Sequence, residues 1–271
     1  MNRIIAMNSN TYHGFSLEEA VRGIADAGFR YIELTATKGW TEHVYPDQPM
    51  RQLMRAQDML ADAKLIPFAM SGHTNLTDPD RMQDFQDNIR LAGFFGCRYI
   101  VSSIGEAHLK DRHTADADET ARCIARFIPE LEARQMTLVL ETHGREHGTG
   151  KALAEIVEKI GSERVRINYD TANVIFYGRV NPVQDLAGCV GDVAYLHIKD
   201  KAGADDVWDF PAPGKGNVDF DGIFDVLRQA GNESPFSVEI EFTAQGPGGL
   251  EEVNQAVRDS AAFFRAKGFT L

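Results

Sequence analysis

Four apolar runs in the second half of the chain each end in a side chain able to ligate a metal. Thr137-Leu138-Val139-Leu140 closes on Glu141 just before Thr142-His143-Gly144, and Arg166-Ile167-Asn168-Tyr169 leads to Asp170. Val193-Ala194-Tyr195-Leu196 leads to His197, and Phe236-Ser237-Val238 leads to Glu239 and then Glu241. A short Val- and Leu-rich run bounded by Gly reads as a strand buried on both faces, the kind found in parallel sheets. An unpaired carboxylate is costly in a strand interior, so each of these groups belongs at the C-terminal tip of its strand, beside a cation or a substrate. Packing alone does not explain four such endings in succession.

The first half repeats the same unit without the ligands. Ile4-Ile5-Ala6-Met7 reads as a first strand, and Ser16 with Glu19 has capping-box spacing for a helix that stops at Ala27-Gly28. Tyr31-Ile32-Glu33-Leu34 is a second strand, followed by an aromatic loop from Trp40 to Pro49 and a helix from Met50 to Lys64. Leu65 to Met70 and Tyr99 to Val101 are strands three and four, with a helix from Asp80 to Phe95 between them. A helix from about Ala115 to Arg134 follows, kinked or broken at Pro129. The later units add a Gly-rich loop from Gly144 to Gly150 and helices at Ala152–Ile160, Pro182–Gly188, Asp221–Ala230 and Leu250–Lys267. Eight strand-then-helix units at a period of roughly 30 residues, with no linker or repeated motif, predict a single (β/α)8 TIM barrel occupying residues 1–271, of α/β class. An open doubly wound sheet is the alternative.

Charge narrows the partners. With 28 Lys and Arg against 40 Asp and Glu, the formal charge of -12 disfavours nucleic acid and anionic membranes. Cys97, Cys123 and Cys189 are odd in number and widely spaced, which fits neither a disulfide framework nor a CxxC metal site and points to a reducing, cytoplasmic setting. The N-terminal apolar run is too short for a signal peptide, and no segment approaches the ~18 uninterrupted apolar residues of a membrane span.

In a barrel the C-terminal strand ends share one face, so Glu141, Asp170, His197 and Glu239 are expected to converge. Three carboxylates placed together repel one another unless a cation sits among them. Three oxygen donors and one imidazole suit Mn²⁺, the leading expectation, and are compatible with Mg²⁺, Co²⁺ or Zn²⁺. Taken alone, His197 would read as a satisfied core histidine; the three carboxylates change that reading.

These residues resemble the xylose isomerase-like barrels grouped as sugar phosphate isomerases/epimerases. The resemblance runs over essentially the whole chain and is carried by Leu140-Glu141-Thr142-His143, Tyr169-Asp170-Thr171-Ala172-Asn173, Leu196-His197-Ile198-Lys199-Asp200 and Ser237-Val238-Glu239. It implies Glu141, Asp170, His197 and Glu239 as metal ligands, with Glu141 and Glu239 also exchanging protons on opposite faces of a substrate carbon. Glu241 lies on the same side of its strand as Glu239 and is the competing ligand. The sequence departs from the ketose epimerases at two positions that touch substrate oxygens there: Asn173 replaces a His, and Gly203 replaces an Arg. The ketose epimerases' own substrate therefore does not carry over, and Lys199 and Lys201 are candidates for the missing positive charge.

The expected chemistry is isomerisation or epimerisation of a small sugar, keto sugar or sugar acid through a metal-stabilised enediolate. The alternative is a lyase or dehydratase that expels a β-substituent from a 3-keto sugar or glycoside in the same fold. An endonuclease acting on abasic DNA would need more metal-binding His and a basic face, and a sugar-binding barrel without catalysis is a further option. Candidate substrate contacts are His73, His143, Asn173, Lys199 and Trp208, with His13 on another strand tip. Asp200 is a candidate for orienting a ligand. Trp40, Tyr45, Trp208 and Phe210 lie on loops suited to stacking on a sugar, to packing among themselves or to a subunit contact, so a homo-oligomer is compatible with the sequence. Gly214-Lys215-Gly216 lacks Walker spacing and reads as a turn rather than a phosphate loop.

Overall fold

The structure, a computed structural model, describes residues 3–110 and 115–271. Eight parallel strands close into a barrel: β1 (Ile5–Asn8), β2 (Tyr31–Thr35), β3 (Ile66–Ser71), β4 (Tyr99–Ser102), β5 (Thr137–Glu141), β6 (Val165–Asp170), β7 (Val193–Ile198) and β8 (Phe236–Val238). β8 pairs with β1 through Ile5–Phe236 and Met7–Val238, which closes the ring. The open-sheet alternative is thereby excluded. Every strand edge is paired, so the sheet has no free edge to protect.

Two cores hold the barrel. Outward-facing Ile, Leu, Val and Phe side chains pack under the helices in one continuous layer. Inside the ring, Phe68, Val101, Val139 and Tyr195 pack with Tyr31 and Tyr99. Tyr31, Phe68, Tyr99 and Tyr195 sit 5.2–5.8 Å apart in sequence of contact. This aromatic plug fills the barrel below the C-terminal face and gives the site above it a rigid floor.

Local rules account for most boundaries. Ser16 and Glu19 form the reciprocal capping box on the helix Leu17–Asp26. The expected helix over 115–134 is two, Ala117–Ala125 and Ile128–Ala133, with Pro129 in the first turn of the second, where its missing N–H is harmless; residues 111–114 lie outside the described residues. The Gly144–Gly150 loop contains one helical turn, Gly144–His147. The eighth strand is shorter than its sequence pattern. Instead of running to Glu241, β8 stops at Val238, because the Ile240 N–H donates to Thr11 Oγ1 and the Glu241 N–H to the Phe210 carbonyl. Phe242–Thr243 then pairs antiparallel with Asp209–Phe210, a ribbon joining the loops after β7 and β8.

The loop after β7 is fixed from within. Asp200 is fully buried and accepts backbone N–H groups from Lys201, Gly214, Gly216 and Val218 at 2.8–3.1 Å. The Gly214-Lys215-Gly216 turn is thus an anion cradle already filled by the chain's own carboxylate. A Cβ at Gly216 would lie 2.4 Å from Asp200 Oδ1 and 2.5 Å from the Lys201 carbonyl, which explains glycine there. Asp200 is a loop anchor and does not reach the site expected for it. Replacing Asp200 with Ala orphans these donors and should lower stability by about 3 kcal/mol. A urea midpoint equal to that of the wild type would show the cradle to be satisfied in another way.

Candidate metal centre

Strand alternation directs one polar group per strand tip toward the barrel axis, and four of them meet. Ligand atoms of Glu141, Asp170, His197 and Glu239 all lie within 4.8 Å of one another, and all four residues are buried. They come from the ends of β5, β6 and β7 and from the residue just past β8.

Asp170, Glu239 and His197 each have one atom held by the surrounding protein and another turned toward the cluster, while Glu141 pairs directly with His197. Asp170 Oδ1 accepts the N–H groups of Ala172 and Asn173 at 2.9 and 2.8 Å, while its Oδ2 is buried with no hydrogen-bond partner. Glu239 Oε1 accepts the side-chain amides of Asn8 and Asn10 at 3.1 and 3.0 Å, and its Oε2 lies 3.6 Å from His197 Nδ1. His197 Nδ1 meets Glu141 Oε1 at 2.6 Å, and Nε2 sits 3.1 Å from both oxygens of Glu33. Glu33 is fully buried in β2 and is further held by Asn8 Nδ2 at 3.3 Å and by Tyr195 Oη at 3.0 Å. With Nε2 fixed on a carboxylate, Nδ1 is the nitrogen available to a cation.

The donor set fits a divalent cation. A buried carboxylate oxygen without a partner is rare and calls for a ligand. Asp170 Oδ2 is such an atom, and the other inward donors surround it. Three carboxylate oxygens and one imidazole nitrogen suit first-row divalent ions.

The local charges are strongly coupled. Burial opposes ionisation of Glu141, yet His197 and His73 outweigh it and hold the carboxyl below its ordinary range. Burial pushes Asp170 up to about 7 despite Lys199 nearby. Burial likewise opposes charge on His197, but Glu33 and Glu141 raise it well above the usual imidazole range. Glu239 is lowered because Lys199 and His197 outweigh its burial, whereas burial leaves Glu241 raised even beside Lys199. Lys199 is almost completely buried and lies 3.2 Å from Glu239 Oε2, in ion-pair contact with Glu241 and 3.9 Å from Asp170 Oδ2. Its ammonium also stands 4.6 Å from the Phe210 ring centroid. Glu241 thus pairs with Lys199, while Glu239 touches both Lys199 and the converging cluster.

The remaining sequence candidates separate. His73 accepts the Ser103 N–H on Nδ1 at 3.0 Å, which places its proton on Nε2, 3.1 Å from Ser71 Oγ and 3.6 Å from Glu141 Oε2. His143 Nε2 contacts Tyr177 Oη at 3.2 Å, and burial lowers its pKa to about 4. His73, His143, Asn173 and Lys199 line one small space over the four donors. Trp208 lies farther out, half-buried against Phe176 and Phe210. Lys201 does not supply charge to the site, because its ammonium donates to the carbonyls of Ala202 and Ala204. Sequence reasoning passed over Glu33, Asn8 and Asn10. A carboxylate inside the apolar run Tyr31-Ile32-Glu33-Leu34 was the available signal for the first.

Changing Glu33 to Gln removes the acceptor that orients His197 and should weaken Mn²⁺ or Zn²⁺ binding by about 10- to 100-fold. Metal titration by calorimetry measures this directly, and unaltered affinity would show that Glu33 does not set the His197 ring.

Among the described residues no helix is long and apolar enough to cross a membrane. One curated relative, an inosose dehydratase of Clostridium botulinum (strain Eklund 17B / Type B), is 27% identical over 132 residues, 40% of this chain and 41% of that protein. The chain's match thus spans about two fifths of that relative's length. Among solved structures, the IOLI protein with a bound zinc atom superposes with a TM-score of 0.78 at 18% identity, covering 98% of this chain and 99% of that one. The D-allulose 3-epimerase from Methylomonas sp. in complex with D-allulose gives a TM-score of 0.77 at 16% identity, covering 99% and 98%. Residues 21–267 match the family described as Xylose isomerase-like TIM barrel, and the chain belongs to that family.

Proposed function

We propose that the protein is a divalent-metal-dependent isomerase or epimerase acting on a small sugar, keto sugar or sugar acid. The observation that carries this reading is the buried cluster of Glu141, Asp170, His197 and Glu239 around an Asp170 oxygen with no protein partner. A divalent cation held by these four side chains would polarise a carbonyl and its neighbouring hydroxyl and stabilise the charge that develops when the α-proton leaves. Mn²⁺ leads among the candidates.

The chain's own residues supply the proton chemistry. Glu141 stays ionised because His197 and His73 counter its burial, which suits it to removing a proton. Glu239 is the second carboxylate of the pair and can return that proton to the other face or to the adjacent carbon. Lys199, held between Glu239 and Glu241, presents a fixed ammonium for a substrate oxygen. His73, His143 and Asn173 line the same space and are placed to hold hydroxyls. The enclosure keeps water from the reacting carbon.

A dehydratase or lyase is the second reading. It is favoured by the match to an inosose dehydratase and by Glu241, a further carboxyl group that borders the same small space.

Candidate keto sugars incubated with the Mn²⁺-loaded enzyme in deuterated water separate the two. Deuterium at the α-carbon with the skeleton intact is the isomerase outcome, and a dehydrated or cleaved product is the lyase outcome. Glu141→Gln should reduce either turnover by about 10²-fold or more. Wild-type rates in that variant would remove Glu141 from its assigned role.

A further inference from the structure

The space directly over the converging donors is too small for a sugar ring. It measures about 20 Å³, near the volume needed by one water. Its outer wall contains Trp40 and His108, stacked at 3.8 Å, with His13 on the opposite face of Trp40 at 3.9 Å. The indole is held in place by donation from Trp40 Nε1 to Asn10 Oδ1 at 3.0 Å. Beyond this wall lies a second cavity of about 480 Å³. Asn10, Trp40, His108 and Glu241 line both spaces, so the two are the inner and outer sides of one partition.

We infer that the outer cavity is a subsite for a second, uncharged ring carried by the substrate, which makes the ligand a glycoside or disaccharide whose other sugar reaches Glu141 and Glu239. The inference rests on the sugar-acting reading proposed above. Three features of the cavity support it. Its volume falls in the range of small-molecule sites, well above what a closing residue or solvent alone requires. Its lining includes Trp208 and Phe242, the aromatic type that presents a flat apolar face to a ring. Trp208 makes only perpendicular contacts, with Phe176 at 5.6 Å and Phe210 at 5.0 Å, and no described ring stacks face to face upon it. Finally, no Lys or Arg lines the cavity among the described residues, so a phosphorylated substituent has no cation to meet there. Thr243 and Gln245 offer neutral polar groups instead.

The backbone is shaped to this end. Phe242 has φ +59, a left-handed conformation that costs free energy in a residue with an aromatic side chain. The ribbon with Phe210 maintains it, and the same ribbon ties the Trp208 loop to the Phe242 loop across the cavity. A monosaccharide entering the inner space would need Trp40 and His108 to shift, and a ligand extending through the partition would keep them displaced.

The chain has two tryptophans, and both line the outer cavity. In the Trp40→Phe variant, Trp208 alone reports its occupancy. The Mn²⁺-loaded protein is titrated with phenyl β-glycosides of glucose, galactose, mannose and xylose and with the methyl β-glycosides of the same sugars. Wild-type calorimetry provides the same comparison without a substitution. The expected result is that at least one phenyl glycoside binds tenfold or more tightly than its methyl counterpart and shifts Trp208 emission, and that Trp208→Ala collapses the preference toward unity. If no phenyl glycoside exceeds its methyl counterpart, or if the preference survives Trp208→Ala, the subsite is overturned. Solvent proton exchange is scored separately, on the free keto sugars, because a simple glycoside has no carbonyl to acidify an α-proton. A phenyl preference without exchange keeps the subsite and removes the isomerase and lyase readings. Exchange on a free sugar without any phenyl preference keeps the function and removes the subsite.

Discussion

The contact on which the C-terminal face depends is the pair of carboxylates that grip His197, Glu33 on Nε2 and Glu141 on Nδ1. Around it, Asp170, Glu239 and Glu241 bring the carboxyl groups near the axis to five, with Lys199 as the second cation. Burying so much charge is unfavourable unless each group is paired and hydrogen-bonded, and removing one partner costs more than the pair contributes. The barrel meets this requirement with neutral donors as well as charge. Asn8 and Asn10 hold Glu239, Tyr195 and Asn8 hold Glu33, and the first turn after β6 holds Asp170. Among the described residues, the buried carboxylate oxygen of this cluster with no hydrogen bond is Asp170 Oδ2, which lies 3.9 Å from both His197 Nδ1 and Lys199 Nζ. Unpartnered buried polar atoms call for an explanation, and at the centre of four metal-type ligand residues a divalent cation would supply one for this atom.

Period-two alternation made much of this legible from sequence. Charged residues at the ends of apolar runs stand out because a strand buried on both faces has no other place for them. Glu141, Asp170, His197 and the pair Glu239 and Glu241 stood out on that ground, while the choice of Glu239 over Glu241 came from the resemblance to the xylose isomerase-like barrels. Glu33 has the same chemistry but was missed, because the sequence read as strand and helix gives no depth within the barrel. It lies in the middle of β2, where its only access to charge is across the barrel interior to β7. Contacts of that kind depend on closure of the ring and leave no trace in local spacing. The same holds for β8, whose pattern of alternating apolar residues continues to Glu241 while the backbone leaves the barrel at Val238 to pair with Asp209–Phe210. A ribbon between two loops far apart in sequence competes with strand extension, and propensity cannot register the competitor.

The segment Lys199-Asp200-Lys201 shows how one short run divides its work. Lys199 follows His197 by two residues and shares its inward direction. Asp200 points the other way and is consumed by the backbone N–H groups of the following loop. Lys201 is drawn to carbonyls outside the pocket. From sequence the two lysines looked interchangeable as sources of positive charge. Parity alone would have placed both inward, but the chain leaves strand geometry after Ile198, and the Asp200 cradle turns it before Lys201 can follow.

That turn bears on what the site can recognise. Where the ketose epimerases carry an Arg on the loop six residues past the metal histidine, this chain has Gly203 at φ +67, in a turn that brings no side chain to the site. Positive charge near the axis is supplied instead by Lys199, at the end of a strand and clamped by Glu239 and Glu241. A strand-borne ammonium with two carboxylate partners is less free to follow a substrate than a guanidinium on a loop, and it offers point-charge contact without a bidentate fork. The outer cavity is bordered by aromatic and neutral polar groups, with Glu241 on the side it shares with the inner space. The outer cavity thus offers ring faces and neutral polar groups and no cation among the described residues, while Lys199 stands at the carboxylate cluster.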